Sequence, residues 1–103
     1  MAALLLRITE TAEDDLAEIW AHIAEDSPER ATAFLDQLTE RCQPLLHHPE
    51  IGPSREQLAP GLRAQFHKAY VIYYRATETE LIIVRVLHGA RDAVALFESD
   101  DES

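Results

Sequence analysis

The sequence predicts an α+β domain, a helical hairpin packed on one face of an antiparallel-meander sheet, and three observations predict it. Apolar residues recur at helical spacing from residue 12 to 46, with one interruption at Asp26-Ser27-Pro28. Runs rich in β-branched and aromatic residues then follow between residues 62 and 88, joined by short turns. At 103 residues and 47% apolar content, the chain supports one core and leaves no room for a second domain. The domain is expected over residues 1–98, with 99–103 as a disordered acidic tail.

The elements follow in order. The apolar run Leu4 to Ile8 predicts a brief strand, and Thr11 with Asp14 suggests an N-cap and capping box for the first helix. Ala12, Leu16, Ile19, Trp20 and Ile23 form its apolar stripe, with Trp20 expected in the core, and Glu13, Asp14 and Asp15 sit at the positive end of its dipole. Ser27 and Pro28 are an N-cap and a first helical residue for a second helix, whose apolar face holds Ala31, Phe34, Leu35, Leu38 and Cys42. Pro44 predicts a kink or stop between Cys42 and His47. Three prolines and two glycines between Pro49 and Gly61 mark a surface connection. Strands are expected at Leu62 to His67, Tyr70 to Ala76 and Glu80 to His88, with turns at Lys68-Ala69 and Thr77-Glu78-Thr79. A short C-terminal helix is expected from Asp92 to Glu98, with Val94, Leu96 and Phe97 folding back.

Charge restricts the partners. The net charge is −10; residues 1–50 hold three Arg against eleven Asp and Glu, a balance of −8, whereas residues 51–97 hold six basic against four acidic groups, a balance of +2. Such a chain repels free nucleic acid over long range, so no direct nucleic-acid binding is expected. The single cysteine, Cys42, excludes an internal disulfide and any Cys-based zinc site. His47 and His48 are adjacent and lack the spacing of two ligands on one helix face, so neither a metal nor another cofactor is expected. The N-terminus has neither a basic start nor an apolar run long enough to export or span, which predicts a cytoplasmic protein without a membrane partner.

Leu81 to Asp92 holds the candidate chemistry. Leu81, Ile83 and Leu87 are expected on one strand face and Ile82, Val84 and Val86 on the other, so the strand is apolar on both sides. Arg85 is the exception, either salt-bridged with its stem packed or facing a partner. Beyond the strand, His88, Gly89, Arg91 and Asp92 gather polar groups at one end.

Three segments resemble the ParE branch of the RelE/ParE toxin superfamily: Asp15-Leu16-Ala17-Glu18-Ile19-Trp20 with Ile23 to Asp26 and Pro28, Tyr70 to Arg75, and Arg85 to Asp92. Together with the order of elements they span nearly the whole chain. The resemblance implies the toxin half of a bacterial type II toxin–antitoxin pair, binding DNA gyrase, trapping it in a DNA-cleaved state, and neutralised by a ParD-like antitoxin. The RelE-like branch instead cuts messenger RNA on the ribosome, which requires a base, an acid and cations for the phosphate. At the places that branch uses, this chain has Leu62, Ala64, Val71 and Phe97, and only Arg91 stays in register. A nuclease alternative would use His67, His88 and Arg91, if Arg63, Gln65 and His67 shared a face with Val71, Tyr73, Arg75 and Arg85. A third alternative retains antitoxin binding alone. An antitoxin helix or strand is expected in a groove between hairpin and sheet, near Arg63, Tyr74, Arg75 and Arg85, with Trp20 as a further possible anchor.

Overall fold

A computed structural model describes residues 3–91 and 93–100, with the side chains of 98–100 outside the description. The elements are β1 (Leu5–Ile8), α1 (Glu10–Ala24), α2 (Pro28–Cys42), two 3-10 turns (Gln43–Leu46 and Pro49–Ile51), β2 (Arg63–His67), β3 (Tyr70–Ala76), β4 (Glu80–His88) and α3 (Ala93–Asp100). The fold class is the expected one. The sheet order is β1-β4-β3-β2, with β2, β3 and β4 antiparallel and β1 added parallel to β4.

Local chemistry sets the helix ends. Thr9, not Thr11, caps α1: its hydroxyl accepts from the Ala12 amide at 3.1 Å and donates to the Val84 carbonyl at 3.0 Å. That one side chain therefore stops β1, starts α1 and fastens both to β4. Ser27 caps α2 through the Arg30 amide, with Pro28 in the first turn as its missing N–H permits. Pro44 converts the end of α2 into a 3-10 turn rather than a clean stop.

The sheet is covered on both sides. Toward the hairpin, Ile72, Tyr74, Leu81, Ile83 and Val86 meet Ala12, Ile19, Leu38, Cys42 and Leu45. On the opposite side Leu62, Ala64, Tyr73 and Leu87 are buried with Phe97 of α3. Trp20 departs from the expected core position; it is 37% exposed, and its indole N–H donates to Thr32 at 3.2 Å.

The faces of β4 also differ from simple alternation. Tyr73 pairs with Arg85 and Tyr74 with Ile83, which leaves Val84 as the extra residue of a bulge. Before it, Leu81 and Ile83 face the hairpin; after it Val86 does, and Leu87 joins Val84 on the other side. The terminal helix runs on through Ser99 and Asp100, two residues expected in the tail, while residues 101–103 lie outside the described residues.

Candidate functional site

β1 reaches only as far as Ile83 in its pairing with β4, so the ladder on that side stops there. Asp15, one turn into α1, takes over. Its Oδ2 accepts from the Val86 amide at 3.0 Å and from Arg85 Nε at 2.9 Å, and its Oδ1 accepts from Arg85 Nη2 at 3.0 Å. Both side chains are buried, Asp15 at 7% and Arg85 at 8% exposure. A two-pronged pair of this kind satisfies the guanidinium and the carboxylate where water is excluded. Arg85 is thus the internal tie between α1 and β4, the salt-bridged one of the two arrangements expected for it.

Above this tie lies a groove of about 140 Å3 lined by residues of α1, including Glu18 and His22, and by Tyr70, His88 and Arg91. The His88 ring packs edge-on against Tyr70 at 5.3 Å, and its Nδ1 accepts from the Ala90 amide at 3.1 Å, so a neutral ring carries its proton on Nε2. The Arg91 amide donates to the His88 carbonyl, closing the turn. Gly89 lies where its amide meets the Ala69 carbonyl at 2.7 Å, and a Cβ there would stand 3.3 Å from that oxygen. Close approach, rather than a left-handed backbone, explains this glycine. Asp92, the last member of the expected motif, lies outside the described residues.

The register separates the residues that the nuclease alternative needs together. Arg63, Gln65 and His67 pair with Tyr74, Ile72 and Tyr70 and share their hairpin-facing side. Val71 and Tyr73 face the other way, toward α3. His67 Nε2 lies 2.9 Å from Gln37 Oε1, and burial first, then the charges of Lys68 and Arg41, hold its pKa below the usual histidine value. On the α3 side, Leu62, Ala64 and Phe97 are buried and Val71 packs against them. The places where a ribose-cleaving site would have cations therefore form one apolar cluster, with Tyr73 against Phe97 at 5.1 Å.

Two other sequence candidates have structural partners. Tyr74 is fully buried; its hydroxyl donates to the Pro49 carbonyl at 2.6 Å and accepts from the Gly52 amide at 3.0 Å. A Cβ at Gly52 would collide with the Ala64 carbonyl and the Tyr74 hydroxyl, so only glycine fits. Arg63, half-buried, donates to the Glu50 and Gly52 carbonyls at 3.2 and 2.8 Å and holds the same segment. Tyr74 is buried rather than on the surface, and of the four residues expected near an antitoxin only Arg75 is exposed. Cys42 is buried as expected, and burial pushes its thiol pKa up to about 11. Among the described residues no group of three or more His, Cys, Asp or Glu could hold a metal, and no helix is long and apolar enough to cross a membrane.

Asp15 was missed as a site residue, although the sequence carried a signal. It lies three residues after Ala12 and four before Ile19, on the buried stripe, where a lone carboxylate demands a buried cation.

The same architecture occurs in solved toxin–antitoxin assemblies. The chain is similar to one described as the chromosomal ParDE TA system from P. aeruginosa, with a TM-score of 0.70 and 25% identity, covering 84% of this chain and 96% of that one. It also resembles a chain of the toxin–antitoxin complex RelBE2 from Mycobacterium tuberculosis, with a TM-score of 0.60 and 27% identity, covering 88% and 97% of the two chains. Fold and site therefore define a small toxin of the type found in such pairs. Toxin ParE3 of Caulobacter vibrioides is 27% identical over 88 residues, 84% of this chain and 88% of that protein. The family model for the ParE toxin of type II toxin–antitoxin systems, parDE, matches residues 6–93, and the chain belongs to that family.

Proposed function

We propose that this toxin acts by binding DNA gyrase rather than by cutting RNA, and that a ParD-like antitoxin neutralises it. The observation that carries the reading is the apolar cluster of Leu62, Ala64, Val71 and Phe97 on the α3 side of the sheet. Scission by a ribose 2′-hydroxyl needs cations for the extra phosphate charge and an acid–base pair. Those positions hold methyl groups and a phenyl ring. A binding inhibitor has no such requirement. Purified toxin is expected to inhibit gyrase supercoiling and to accumulate cleaved DNA, and added antitoxin to reverse both; intact supercoiling at saturating toxin would contradict the proposal.

One observation favours the nuclease alternative. His88 and Arg91 share their groove with His22 and Tyr70, which places a possible acid or base beside a cation. That reading predicts cleavage of ribosome-bound message that disappears on Arg91→Ala.

A further inference from the structure

α2 carries two adjacent stripes of unlike character. Arg30, Ala33, Phe34, Gln37 and Arg41 recur at the spacing of one helix face, and Glu29, Asp36 and Glu40 at that of the next. The first stripe turns toward the β2–β3 hairpin. Arg41 donates to the Phe66 carbonyl at 2.9 and 3.1 Å, and the Phe34 ring stands 5.3 Å from His67 and 5.4 Å from Tyr70. Beside these contacts opens a groove of about 400 Å3 lined by Ile23, Arg30, Ala33, Phe34, Gln37 and Lys68.

Two features mark this groove as more than a gap between elements. Arg30 and Lys68 are exposed, and neither side chain is ion-paired among the described residues, in a chain with 19 carboxylates. Lys68 also stands at φ 53°, in the left-handed region, in a two-residue turn where glycine or asparagine would be easier. Its Nζ lies 5.9 Å from the centre of the Phe34 ring, so the cation is held over the apolar floor.

We infer that the groove is a docking site for an acidic segment of a partner protein bearing one bulky apolar side chain. Its carboxylates meet Arg30 and Lys68, and its apolar group rests on Phe34, Ala33 and Ile23. Elsewhere the acidic hairpin repels such a segment, so the two cations also select where it lands. A nucleic-acid strand fits less well, because its continuous phosphate charge would run on along residues 1–50, whose balance is −8. Taking the antitoxin as this partner rests on the reading in the previous subsection; the chemistry of the groove stands without it.

The test uses a fluorescent synthetic peptide with glutamates flanking one leucine, titrated into the full chain. Binding is expected to weaken at least tenfold in the Arg30→Glu/Lys68→Glu variant, checked as folded by circular dichroism, and with a peptide carrying Gln for Glu or Ser for Leu. Arg7→Gln, a remote charge change, should leave it unaltered. No binding to the wild type, equal affinity for the double variant, or tighter binding of single-stranded DNA of matched length would overturn the inference. A ParD-like antitoxin titrated in parallel separates the two readings. Equal antitoxin affinity for wild type and double variant would remove the groove as its subsite while leaving the neutralisation reading standing. An antitoxin that fails to bind the wild type would remove that reading, and the peptide alone would then decide the groove.

Discussion

The two faces of the sheet treat polar groups in opposite ways. Toward the hairpin, charge and hydroxyl are brought inside and given partners: Asp15 with Arg85 and the Val86 amide, and Tyr74 with Pro49 and Gly52. Toward α3 the buried residues are Leu62, Ala64, Leu87, Phe97 and Tyr73, an apolar packing that a single short helix completes. The hairpin face uses polar ties to fix geometry, since each bond has one acceptable arrangement. The α3 face contributes apolar burial and, among the described residues, holds no buried cation for a phosphate. In this fold the side that could have held a phosphate-handling set has become core.

The contrast is sharpest at Asp15. Asp15→Ala leaves Arg85 buried without its carboxylate and the Val86 amide without its acceptor, and should lower stability by about 3–5 kcal/mol, read from urea unfolding. Replacing both partners, as in Asp15→Leu with Arg85→Met, should recover most of that loss, because the stranded charge is then gone. A double variant as unstable as Asp15→Ala would mean that the tie does more than satisfy itself.

A smaller effect is expected at Tyr74. Tyr74→Phe keeps the ring but removes one donor and one acceptor, leaving the Gly52 amide unsatisfied, at about 1–3 kcal/mol. Hydrogen exchange should show the loss concentrated in Pro49–Ile51 and the start of β2. Uniform loss across the molecule would place the role of the hydroxyl elsewhere.

How much of this was legible from residues alone varies along the chain. β3 and β4 have the expected bounds because β-branched and aromatic runs end at clear turn signals, and Ser27-Pro28 opens α2 as capping chemistry requires. The bulge at Val84 was not legible. Because both faces of β4 are apolar, no polar residue marks where alternation breaks, and a slip of one residue leaves the pattern looking the same. The parallel pairing of β1 with β4 is a long-range choice that a four-residue strand cannot announce. At the candidate site, Arg85 was visible as an anomaly while its partner was not, since Asp15 read as one of three acidic residues near a helix start. Phe34 was expected on the apolar face of α2, but the helix alone does not show that the β2–β3 turn brings Lys68 over its ring.

The least expected change concerns pH. The folded chain keeps His67 neutral more readily than the unfolded chain, whose histidines protonate near pH 6.5. The stability this contributes is complete above about pH 6.5 and is lost as pH falls from there toward the lower folded value, because the unfolded state then binds the extra proton. His67→Gln should flatten the fall in thermal stability between about pH 7 and pH 5.5; an unchanged slope would assign the acid sensitivity to other groups.

On the proposed reading this toxin inhibits by binding and does no chemistry of its own. The most direct measurement gives one preparation to two targets, gyrase with supercoiled plasmid and ribosomes stalled on a message. Cleaved plasmid is expected to accumulate with gyrase present, and the message to remain whole. Cut message together with unaffected gyrase would contradict that reading.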